Sequence, residues 1–162
     1  SDLFNIYSIG NIRRLIMAHY VKIVDNVVTE NIVVHNSCEL DENGQESEAV
    51  GVAWAKNHRN DPDGTWLKTS YNSNRGVYYK DGTNVPHEDQ SKLFRKTFAE
   101  IGFEYDPVND WFKPNKNLES FVWSDEHWDY RPPQAVPDDG QEYDWNEDQY
   151  QSTGNGWVVR PE

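Results

Sequence analysis

The residues best equipped for chemistry are His35 and Cys38 in "HNSC", because imidazole and thiolate are the side chains that hold zinc. A zinc site takes three or four such ligands. Cys38 is the only cysteine, and His19, His58, His87 and His127 each stand alone, so the pair reads as an ordinary loop. "DENG" from Asp41 and "DPDG" from Asp61 have the acid-rich, glycine-closed look of calcium loops, yet neither continues to the distant glutamate that completes an EF-hand. Both read first as turns, and calcium is the one cofactor they admit. The carboxylate pairs Asp125-Glu126 and Asp138-Asp139 suit acid–base work by type, but nothing sets one member as buried acid and the other as base. With no GxSxG, P-loop or GxGxxG segment, no enzyme is expected.

A stronger pattern lies in the aromatics. Phe103/Tyr105 with Trp111, Phe121/Trp123 with Trp128, and Tyr143/Trp145 with Tyr150 share one form: two aromatics at i and i+2, an acid, amide or serine, a turn, then another aromatic. Residues two apart lie on one face of a strand, and the ring after the turn can meet them across the ladder. Each segment is therefore expected to be a β-hairpin. The rings admit two uses. They can be platforms for sugars, with Asp and Asn hydrogen-bonding hydroxyls beside a Trp face, or cross-strand pairs that hold thin hairpins together, each ring burying ~150–250 Å². The second use is preferred, because no glycine–aromatic spacing recurs strictly enough for a sugar-binding repeat. For either use the candidate binding residues are Tyr105, Trp111, Trp123, Trp128, Trp145 and Tyr150.

These hairpins sit in a chain of 162 residues, the length of one domain or of one domain with a small appendage. Aromatics make up 14% and include seven Trp, which argues against disorder. A formal charge of −13 disfavours nucleic acid and anionic membranes, whose affinity comes from protein cations. With one cysteine, no intrachain disulfide points to an oxidising compartment. Residues 1–16 carry an acid in front and "RR" behind the apolar stretch, the reverse of a secretory signal, and are too short to span a bilayer. They read as a leader or upstream extension before Met17, with an amphipathic helix on Leu3, Phe4, Tyr7 and Leu15 as the competing view.

From Met17, "HYVKIVDNVVTENIVV" alternates apolar and polar residues on both sides of Asp25-Asn26, which predicts a hairpin with strands near 18–24 and 27–35. Val50, Ala53, Trp54 and His58 recur at helical spacing, with acids before and bases after, which predicts one amphipathic helix over 46–58. Val50, Trp54 and Trp66 are expected in the core. "TWLKTSY" reads as a strand, and "NSNRGVYYKDGTNVPHEDQ" as a turn-rich excursion around one short β segment. Residues 98–162 then hold fifteen Asp/Glu against four Lys/Arg and five of the seven Trp. The expected class is α+β, mainly antiparallel β, with a small α+β domain at 17–97 and an acidic aromatic hairpin region at 98–162.

"MAHYVKIVDNVVTENIVV", "ESEAVGVAWAKN", "DGTWLKTSYN", "FRKTFAEIGFEYD", "DWFKP" and "PDDGQEYDWNED", in this order, resemble a family of small proteins from marine tailed phages, especially the T4-like phages of cyanobacteria. The resemblance runs from Met17 to about Gln151. The leader, "RGVYYKDGTNVPHEDQ" and "STGNGWVVRPE" depart from it. It implies a virion-associated or accessory protein with no catalytic residues to carry over, located in the virion or the host cytoplasm during infection and not secreted. The implied partners are other phage structural proteins or further copies of the chain. The alternative is a module that recognises a host surface glycan through exposed Trp and Tyr.

Overall fold

The computed structural model describes residues 17–161. The expectations for residues 1–16 lie outside the described residues. The chain divides into two compact units, the first ending at Lys113 and the second starting at Pro114.

The first unit grows from the predicted hairpin. Strands β1 (Met17–Val24) and β2 (Val27–His35) are joined by Asp25 and Asn26, both at positive φ (50° and 61°). That backbone matches the strand twist, and Asp and Asn tolerate it better than most residues. β3 (Thr65–Thr69) pairs with β1, and β6 (Glu104–Asp106) and β7 (Trp111–Lys113) extend the other edge, giving the antiparallel order β3-β1-β2-β6-β7. β4 (Ser73–Asn74) and β5 (Val77–Tyr78) form a separate short ribbon, the β segment foreseen in the excursion.

Both faces of the five-stranded sheet are covered. On one, Ala18, Tyr20, Ile32, Val34 and Trp66 pack beneath helix α1 (Glu48–His58). On the other, Val21, Ile23 and Val28 meet Ala99 and Phe112. The segment around Ala99 is fastened there by Asn31 Nδ2 donating to the Ala99 carbonyl (2.8 Å) and by the Ala99 amide donating to Thr69 Oγ1 (2.9 Å). This crossing delivers β6 to the edge of β2. The composition changes at residue 98, but the compact units part only after Lys113, because β6 and β7 are built onto the first sheet.

The face that α1 buries differs from the expected one. Gly51 and Ala55 turn inward, Val50, Val52 and Trp54 are half-buried, and Ala53 and His58 are exposed; Trp66, at 2% exposure, is in the core as expected. The sheet explains the rotation. It presents the large rings of Tyr20 and Trp66, so the helix has to bring its smallest residues. A Cβ on Gly51 would lie 2.0 Å from the Tyr20 hydroxyl. Gly51→Ala gains up to ~1 kcal/mol of helix propensity, but crowding a fully buried ring costs ~1–3 kcal/mol. The substitution is expected to lower stability, measured as a smaller urea midpoint. A gain would show that Tyr20 can move aside.

In the second unit, β8 (Val122–Ser124) and β9 (Asp129–Arg131) form a hairpin as expected. The third aromatic segment does not. β10 (Tyr143–Trp145) runs into helix α2 (Glu147–Thr153) and pairs with β11 (Trp157–Val159), leaving Tyr150 on the helix. The start and stop signals are in the sequence. Asn146 caps the helix by accepting from the Gln149 amide (2.9 Å), Glu147 and Asp148 occupy the first turn, and Gly154 ends it at φ 76°. The described residues thus hold two α-helices where one was expected. Among the described residues, no helix is long and apolar enough to cross a membrane.

Candidate functional site

The six candidate aromatics fall into three clusters. On the β6–β7 hairpin, Tyr105 faces Phe112 across the ladder (5.6 Å between ring centroids), and its hydroxyl donates to Asp110 Oδ1 (2.7 Å). Trp111 pairs with Asp106 and so points to the opposite face, where Lys96 lies 5.6 Å from its ring. The expected meeting of Tyr105 with Trp111 does not occur. Strand alternation gives that place to Phe112.

In the second unit, Trp123 is packed edge-to-face with Trp128 (5.1 Å) and Tyr130 (5.3 Å), and its indole N–H donates to Asp125 (2.8 Å). Trp145 is packed edge-to-face with Phe121 (5.9 Å) and Trp157 (5.1 Å) and tilted against Tyr150 (5.0 Å), with its N–H on Glu147 (3.0 Å). Buried Gly156 sits beside this ring, where a Cβ would lie 2.6 Å from the indole. Trp128 is 7% exposed and the other candidate rings are half-buried. Edge-to-face contacts and engaged N–H groups belong to a packed hairpin, not to a row of open platforms. Trp157 and Tyr130 complete these clusters; the strand positions opposite Trp145 and Trp123 were the available signal.

Glu147 fastens the Trp145 cluster. Its carboxylate accepts from the Ser120 amide (2.9 Å) and hydroxyl (2.5 Å), Trp145 Nε1 (3.0 Å) and Gln151 Nε2 (3.0 Å). Hydrogen bonds from Ser120, Trp145 and Gln151 pull its pKa from the ordinary 4.5 down to about 2. A carboxylate held below its unfolded value contributes stability above that value and loses it as pH falls. The second unit should therefore weaken between pH 4.5 and about 2, and Glu147→Gln should flatten that dependence while lowering stability at neutral pH. Tryptophan fluorescence against pH reads both effects, and identical acid curves for the two proteins would reject the role.

The first unit holds a feature that the sequence reading missed. Lys68 and Glu39 are buried (6% and 1% exposed) and meet at 2.8 Å, while the Tyr20 hydroxyl donates to the same Glu39 oxygen (2.6 Å). The Lys68 ammonium also lies 4.9 Å from the Phe94 ring. The signal was in "TWLKT": Lys68 shares the inward face of β3 with Trp66, and a charge placed inward requires a buried partner. This pair lines a cleft of about 1010 Å³ whose walls include His19, Tyr71, Tyr78 and His87. Burial lowers the pKa of His19, which favours its neutral form.

The remaining candidates have local structural roles. His35 Nδ1 accepts from the Ser37 amide (3.2 Å), and Cys38 is half-buried against the core. Asp41 accepts the Asn43 and Gln45 amides (2.8 and 2.9 Å), and Asp61 accepts Trp66 Nε1 (3.0 Å) while pairing with Lys22 (2.9 Å). Among the described residues, no group of three or more His, Cys, Asp or Glu is placed to hold a metal ion.

Comparisons with protein-family models, with curated proteins and with solved structures return no match.

Proposed function

We propose that the chain is a non-enzymatic interaction protein of a phage particle, docking through its second unit onto a basic protein surface of the capsid or tail. The observation that carries this reading is what the second unit keeps inside and what it turns outward. Its rings and the indole N–H groups of Trp123, Trp145 and Trp157 serve its own packing, whereas Glu119, Glu126, Asp138 and Asp148 are exposed, as are Val122, Val158 and Val159. Residues 114–162 carry eleven Asp/Glu against three Lys/Arg. Crowded like charges cost stability, so retaining them favours a use outside the fold. The two ribbons β8–β9 and β10–β11 also have open strand edges, which acids guard against indiscriminate pairing.

The phage context comes from the resemblance of the motifs between Met17 and Gln151. The aromatic geometry favours this reading over sugar recognition by Trp123 or Trp145, because edge-to-face rings leave little flat surface for a pyranose. The test is binding of the purified chain to purified particles or subassemblies across a salt series. Affinity should fall steeply as the screening length shrinks from ~10 Å at 0.1 M to ~3 Å at 1 M. Salt-independent binding, or none at low salt, would reject the proposal.

A further inference from the structure

The first-unit cleft has a chemistry of its own. Lys68, Lys80 and Lys92 on its walls are each engaged by a glutamate: Glu39 at 2.8 Å, Glu88 at 2.5 Å and Glu46 at 3.7 Å. Asp89 is committed to capping the turn at Ser91 (2.9 Å). The cleft therefore offers an anion little uncompensated positive charge, and of its five carboxylates, Glu39, Glu46, Asp81, Glu88 and Asp89, only exposed Asp81 is left without an ion pair or a cap. A ligand that fits should be polar and uncharged.

The rings narrow the class further. Tyr71 is 69% exposed, yet it is braced from behind by His19, stacked at 6.2 Å, and by Phe98, edge-on at 5.5 Å. It differs in this from the second-unit indoles, because two rings back it while most of its surface stays exposed. Tyr78 and His87, 5.3 Å apart, supply a second ring pair on the cleft wall. An open aromatic face beside hydrogen-bonding amides, hydroxyls and paired charges complements a molecule with one apolar ring face and a rim of hydroxyls. A volume of about 1010 Å³ accommodates two or three such rings.

We infer that this cleft binds a neutral saccharide, with a pyranose ring laid on Tyr71. The cleft is lined by first-unit residues alone, whereas the docking acids belong to the second unit. The experiment is saturation-transfer NMR and calorimetry of the full chain with maltotriose, cellotriose and chitotriose, with trigalacturonate as the charged counterpart. At least one neutral trisaccharide should receive saturation and bind at least tenfold more tightly than trigalacturonate. Tyr71→Ala should weaken it at least tenfold with little change in Tm, and Tyr71→Phe, which keeps the platform, should retain binding. Binding to none of the three, preference for trigalacturonate, or wild-type affinity in Tyr71→Ala would each overturn the inference.

Discussion

Trp145→Ala is expected to unfold the β10–α2–β11 part of the second unit while leaving the first unit's core intact. Trp145 touches Phe121, Tyr150 and Trp157, receives buried Gly156 against its edge and hydrogen-bonds Glu147, so one truncation removes the common partner of a strand pair and a helix. Burying and truncating a large aromatic costs ~3–5 kcal/mol in a core, and the half-buried site puts this case near ~3 kcal/mol. Helix α2, Glu147–Thr153, is far too short to persist by itself. Amide NMR should show the signals of residues 143–159 collapsing to random-coil positions while those of β1, β2 and β3 stay dispersed. A variant with all signals dispersed would mean that the ring is a free platform after all.

The second large effect lies at the buried pair. Glu39→Ala leaves the Lys68 ammonium uncompensated at 6% exposure and the Tyr20 hydroxyl without its acceptor. Removing one member of a buried pair costs ~3–5 kcal/mol, whereas replacing both with apolar residues of similar volume is often neutral. Lys68→Met combined with Glu39→Met should therefore be more stable in urea than Glu39→Ala alone. Additive losses would show that the pair acts through packing and not through charge. The same cluster sets an alkaline limit. Burial, with the Glu39 hydrogen bond second, raises the Tyr20 phenol above its usual range. A group raised on folding contributes below its unfolded value, so stability should decline once the pH passes ~10.

Much of this architecture is legible in the sequence where local and global signals agree. The alternation around Asp25-Asn26 gives β1 and β2 because one face of each strand is apolar and the turn tolerates positive φ. The helix Glu48–His58 is legible in the acids at its start and the bases at its end, but its buried face is not. Helical spacing marks Val50 and Trp54, while the choice of Gly51 and Ala55 depends on the size of Tyr20 and Trp66 arriving from other strands. In the third aromatic segment, the resemblance to the other two hid stronger evidence: Asn146, the acids after it and Gly154 are a complete set of helix boundaries. The cleft around Lys68 was illegible for a plainer reason. Its walls come from stretches as distant in sequence as His19, Glu39, Tyr71 and His87, and no spacing along the chain records that meeting.

In the proposed function, the second unit uses its aromatics for its own packing and works through the acids it displays. The most direct test replaces three exposed acids, as Glu119→Gln, Glu126→Gln and Asp138→Asn together, and measures both Tm and binding to purified particles at about 0.1 M salt. The account predicts an unchanged or slightly higher Tm, since like charges are removed, with binding reduced at least tenfold. Undiminished binding by the folded triple variant would contradict it.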